Sequence, residues 1–143
     1  MKSFITKTFA LLFLATISTS CMIDGITSVS GNRNVITETR NITKRFDKIE
    51  VGQGIELYIT QDSKTSFVLK ADENLHKLIK SEVKDGVLKI YSKRNIWRAK
   101  ARRVYLSAAT INGITATSGS DVVTEYVINS DTFLENIMLE ESL

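Results

Sequence analysis

Alternation of apolar and polar residues at every second position constrains this chain more than any other feature. Ile55, Leu57 and Ile59 interleave with Glu56, Tyr58 and Thr60. A spacing of two gathers apolar side chains on one side only when the backbone is extended. The same pattern predicts half-buried strands over residues 34–40, 46–51, 65–70, 87–91 and 104–108, and in the shorter stretches 114–117 and 122–128. With no proline in the sequence, reversals fall to Gly, Asn, Asp and Ser. The cluster at 61–64 predicts that the strands on either side of it pair as a hairpin. Asp85-Gly86 predicts a tight hairpin between 82–83 and 87–91, because both residue types tolerate positive φ. The period changes once, at Asp72, which is placed to cap a short helix whose Leu75, Leu78 and Ile79 share one face.

Short strands of Thr, Ser, Ala and Val punctuated by Gly and Asp suit a β-solenoid, whose narrow interior takes small side chains and whose corners take glycine. A β-sandwich produces a similar list of strands, and the pattern by itself leaves both open. With 143 residues, 43% of them hydrophobic and 24% charged, the chain fits a single globular domain.

The first 20 residues have a separate character. Lys2 and Lys7 precede an uncharged apolar run over 9–17, which is the build of a signal peptide and is shorter than the ~20 residues a membrane-spanning helix needs. Ser18, Thr19 and Ser20 then lead to Cys21, the only cysteine. The segment resembles a lipobox, although Ser18 stands where leucine is usual, and it implies residues 1–20 as a lipoprotein signal peptide with Cys21 lipidated. Ordinary secretion, with Cys21 as a spare thiol, is the alternative. Residues 21–32 read as a tether rich in small and polar side chains, and 33–143 as the folded domain. The formal charge of +3 includes Lys2 and Lys7, so the processed chain carries about +1 and has no strongly basic field. A single cysteine and the single His76 exclude an intrachain disulfide and a Cys/His zinc site. No cofactor is expected.

The most unusual local feature is the run from Lys93 to Arg103, where Lys93, Arg94, Arg98, Lys100, Arg102 and Arg103 surround the only tryptophan, Trp97. Charge and stacking of this kind suit an acidic glycan, a lipopolysaccharide phosphate or a nucleic acid. The plainer account is a solvated loop and a strand edge that cations keep from aggregating. His76, alone on the polar side of the predicted helix, reads as a surface residue rather than a base. Asp121 in Ser118-Gly119-Ser120-Asp121 supplies one carboxylate, too few oxygens for calcium, and reads as part of a corner. Tyr58 and Tyr91 occupy outward positions, suited to sugar stacking or to cross-strand pairing. No stacked set of acidic or basic side chains marks an enzyme.

Taken in order, several stretches resemble the DUF2807 family, the head GIN domain of putative autotransporter adhesins found in lipoproteins of Bacteroidetes. They are residues 35–41 and 46–51, Gly54-Ile55-Glu56-Leu57-Tyr58-Ile59-Thr60-Gln61, Ala71-Asp72-Glu73-Asn74-Leu75, residues 83–91 and residues 114–122. The resemblance runs from about residue 33 to residue 128. It implies a right-handed parallel β-helix on a lipoprotein of the outer membrane, at its periplasmic face or the cell surface, and it supplies no catalytic residues. Family members usually continue through further coils, so a chain ending at Leu143 implies a C-terminally truncated product, or a cap formed by residues 131–141. The function so implied is a non-catalytic binding or adhesion module, anchored in the membrane through its lipid, with a glycan or an envelope protein as partner and no nucleic acid. The alternatives are an envelope-assembly protein that docks another protein by strand addition and a non-functional fragment.

Overall fold

The computed structural model describes residues 28–125 and 134–137. The leader, Cys21 and the first part of the tether lie outside the described residues, as does the end of the strand predicted over 122–128. The strands are β1 (Val29–Ser30), β2 (Val35–Arg40), β3 (Lys48–Val51), β4 (Glu56–Gln61), β5 (Ser66–Asp72), β6 (Ile79–Lys84), β7 (Val87–Ser92), β8 (Ile96–Arg98), β9 (Arg102–Ala108), β10 (Gly113–Ala116), β11 (Asp121–Thr124) and β12 (Leu134–Ile137). One five-stranded sheet has the order β12-β10-β3-β7-β6 and another the order β11-β4-β9-β5-β2, while β1 and β8 form a two-stranded pair.

The expected right-handed parallel β-helix is not what the strands build. Parallel pairing holds in the middle of each large sheet, with β3 between β7 and β10 and β4 between β9 and β11. On one side each sheet turns antiparallel: β6 runs against β7, and β5 runs against both β9 and β2. Both large sheets are therefore mixed and neither closes, an arrangement that fits the β-sandwich alternative. The physical reason lies in the turns. Asp85 (φ 51°) and Gly86 (φ 77°) form the tight reversal that forces β6 and β7 antiparallel. The turn after β4, by contrast, does not make a hairpin: β9 lies between β4 and β5 and pairs with both.

Alternation sets the faces as the sequence predicts. Ile49 and Val51, Leu57 and Ile59, Phe67 and Leu69, Leu88 and Ile90, and Val104 and Leu106 are all buried, and side chains from both large sheets form one hydrophobic cluster. Burying each such side chain contributes roughly 1.5–3 kcal/mol. At the edge, Arg40 of β2 reaches across to the other sheet and donates to the carbonyl oxygens of Ile79 and His76, both at 2.8 Å.

The short helix expected after Asp72 is a single 3-10 turn, Glu73–Leu75. Ile79, the last residue of the helical spacing, opens β6 instead. Asp72 makes no side-chain cap, because its carboxylate is used elsewhere. Fully buried, it accepts the N–H groups of Arg33 (2.9 Å), Ala101 (2.9 Å) and Lys100 (3.1 Å to each oxygen). Gly31 passes so close that a methyl group there would fall on this carboxylate.

Burial alone would raise the Asp72 pKa, but the N–H groups of Ala101, Lys100 and Arg33 outweigh it and hold the carboxyl below its ordinary value. The stabilisation is therefore complete above the unfolded pKa of about 3.9 and is lost as pH falls through the lower folded value. Asp72→Ala, which strands three backbone donors, is expected to cost about 3–5 kcal/mol in urea denaturation at neutral pH. Asp72→Asn should also flatten the fall in stability between pH 5 and pH 2 relative to the native chain.

Candidate functional site

The basic run from Lys93 to Arg103 does not form one surface. It covers the turn after β7, the whole of β8, the next connection and the start of β9, and alternation sends its side chains in different directions. In β8, Ile96 points into the core at 5% exposure while Trp97 stands 66% exposed, with the Arg98 guanidinium 6.0 Å from its ring centroid. Lys100 contributes its backbone N–H to Asp72 while its side chain is exposed. Arg103 faces out from the second sheet and donates to Glu56 at 2.8 Å, and that carboxylate holds the guanidinium pKa above its ordinary value.

Lys93, Arg94 and Arg102 do come together. Because β7, β3 and β10 are parallel neighbours, the turns that follow them lie side by side. Gln53 and Gly54 after β3 have φ of 55° and 66°, and Ser118 and Gly119 after β10 have φ of 52° and 69°, so the two turns repeat one backbone shape. The Gly54 N–H donates to the Ser118 carbonyl at 3.0 Å, and the Ser92 N–H donates to Oε1 of Gln53 at 3.1 Å. Between these turns and β8 lies a cleft of about 630 Å³. Lys93, Arg94 and Arg102 line it, and among the described residues no acidic side chain does. Arg102 is half-buried, donates from Nη1 to the Ile96 carbonyl at 3.2 Å, and packs against Gly54, where a Cβ would crowd its guanidinium carbon at 3.1 Å. Sequence reasoning singled out the cations but missed Gln53, Gly54, Ser118 and Gly119 as their frame; the repeated polar-Gly pair was the available signal.

The remaining candidates are accounted for by packing. His76 is not a surface residue: at 7% exposure its Nδ1 lies 2.9 Å from Oε2 of Glu38 and its Nε2 lies 3.1 Å from the Ala71 carbonyl oxygen. Hydrogen bonds from Arg40 and then His76 hold the Glu38 carboxyl below its usual pKa. Tyr58 stacks on Tyr105 across the β4–β9 pairing, with centroids 5.0 Å apart and an interplanar angle of 20°, and Tyr91 donates to Glu82 at 3.0 Å. Asp121 is exposed at the start of β11. Among the described residues, no three His, Cys, Asp or Glu side chains stand together as metal ligands.

The family model described as "Putative auto-transporter adhesin, head GIN domain" matches residues 45–139. Among solved structures, a protein described as a putative adhesin from Bacteroides fragilis is similar with a TM-score of 0.67 and 25% identity, over 75% of this chain and 50% of that one. Another so described, from Parabacteroides merdae, gives a TM-score of 0.67 at 19% identity over 76% of this chain and 46% of its own. A protein from Parabacteroides distasonis described as a putative lipid binding protein gives 0.57 at 20% identity, covering 68% and 43%. The chain thus spans about half the length of the solved structures it matches. Among curated proteins none is significantly similar in sequence.

The opposite orientations of neighbouring side chains in β8 separate its contributions to stability. Ile96→Ala is expected to cost about 2–5 kcal/mol, and Trp97→Ala no more than about 0.5 kcal/mol, as read by thermal or urea denaturation.

Proposed function

Because this chain belongs to the DUF2807 family of head GIN domains, we propose that it is a non-catalytic binding module held at the cell envelope by a lipid on Cys21, and that its binding face is the cleft between the stacked turns. The observation that carries the reading is the convergence of Lys93, Arg94 and Arg102 on one concave surface that has no acidic side chain among its described residues. These cations come from two strand ends and are framed by turns hydrogen-bonded to one another, which gives a ligand a preformed shape and spares the cost of ordering a loop on binding. The family description as an adhesin supports display at the envelope or outside the cell. The apolar run over 9–17 and the small residues before Cys21 support export and acylation. Burial of the acyl chains in the membrane contributes about 0.8 kcal/mol per CH₂.

Two measurements check this reading. In cells labelled with a clickable palmitate analogue, the native chain should take up label and sediment with membranes, and Cys21→Ala should do neither; equal behaviour of the two would remove the anchor. On an array of glycans and envelope proteins, the triple variant Lys93→Gln, Arg94→Gln, Arg102→Gln should lose at least about tenfold in affinity for the ligand that the native chain captures, with an unchanged melting temperature. Native-like binding by the variant would place the binding face elsewhere.

A further inference from the structure

We infer that the turn cleft takes the carboxylate of an acidic sugar and that Arg102 grips it; the inference rests on the cleft being the binding face. Three arginines among the described residues are half-buried: Arg40, Arg102 and Arg103. Arg40 is paired with Glu38 and Arg103 with Glu56, each at 2.8 Å. Arg102 has no carboxylate partner among the described residues; the one hydrogen bond of its side chain there runs from Nη1 to the Ile96 carbonyl. A carboxylate beside a half-buried cation stabilises it, and among the described residues Arg102 lacks the one that Arg40 and Arg103 each have.

The geometry of Arg102 favours a planar anion. With Nη1 tied to Ile96 and the guanidinium carbon against Gly54, the plane is fixed from two sides. The Nε–Nη2 edge keeps both of its N–H groups, a parallel pair that matches the two oxygens of a carboxylate. Lys93 and Arg94 add positive potential at the same cleft, which draws an anion in. The rest of the lining suits a sugar better than an acyl chain. Gln53, Ser92, Asn95 and Ser118 are polar, and Ile96 is the one large apolar side chain among the described residues of the lining. Gln53 has its Oε1 held by the Ser92 N–H, which fixes the amide and leaves its Nε2 donors for hydroxyl or ring oxygens. Charge from one fixed guanidinium and hydrogen bonds from fixed turns are the requirements for reading a uronate within a glycan chain.

The test is calorimetric titration of the full chain with tri-galacturonate, an alginate trimer and sialyllactose, each beside its carboxyl-methylated and its neutral counterpart, and with a sulfated oligosaccharide of equal charge. At least one carboxylate sugar should bind about tenfold or more tightly than its methyl ester. Arg102→Gln and Arg102→Lys should both lose that preference, the latter because it keeps the charge and loses the fork, whereas Lys93→Gln should weaken binding by no more than about threefold. Melting temperatures of the variants confirm that they fold. If the sulfated sugar binds equally well, or Arg102→Gln costs no more than Lys93→Gln, the carboxylate assignment is overturned. If no sugar in the panel binds better than its neutral form, the acidic-sugar assignment fails. In each of these cases the binding face itself stands if the triple variant still loses the ligand captured on the array. If the triple variant keeps that ligand, the binding-face reading fails instead.

Discussion

A buried carboxylate with its N–H groups holds together the parts of this domain that the sheets alone do not. Asp72 closes β5, and its two oxygens take backbone hydrogens from Arg33 and from Lys100 and Ala101, segments that ladder pairing leaves loose. A buried ionised group is tolerable here because three backbone N–H groups point at it, that of Lys100 shared between both oxygens. The absence of a side chain at Gly31 lets the N-terminal stretch run beside it, where Gly31 donates to the Arg98 carbonyl at 2.6 Å. Since Ala101 directly precedes β9, the same carboxylate fixes where β9 begins, and hence where Arg102 stands relative to the turns. The floor of the cleft thus depends on a residue that does not line it.

How much of this was legible in the sequence depends on the distance over which each decision is made. The burial of Leu57 and Ile59, of Phe67 and Leu69 and of Val104 and Leu106 follows from period two, because the face a side chain takes is decided by its own strand. The β6–β7 hairpin follows from Asp85-Gly86, two adjacent residues. Which strand lies next to which is decided by partners far away in sequence, as in the pairing of Tyr58 with Tyr105, and period two carries no information about that. The resemblance correctly assigned the family, but the β-helix taken with it gave way to mixed sheets at β2, β5 and β6.

Side-chain use was the least legible level. Asp72 before Glu73 and Leu75 reads locally as a cap, and only the tertiary N–H groups that outbid the helix show otherwise. His76 reads as surface because nothing near it in sequence announces Glu38. In the basic run, charge density was visible but direction was not: a one-residue step in an extended segment reverses the side chain, so Arg102 and Arg103, adjacent in sequence, end at a turn cleft and on an outer face.

One consequence of the β1 and Asp72 contacts is mechanical. A pull along the chain from its N-terminal side enters the domain at Val29–Ser30, paired with β8, and passes at Arg33 to the carboxylate that also grips Ala101. Force would therefore reach the strand bearing Arg102 through two links, one a shear-loaded backbone pair and the other a charge-assisted bond. Tension from that side would load the β1–β8 pair and the Asp72 contacts together, and the second of these abuts Arg102.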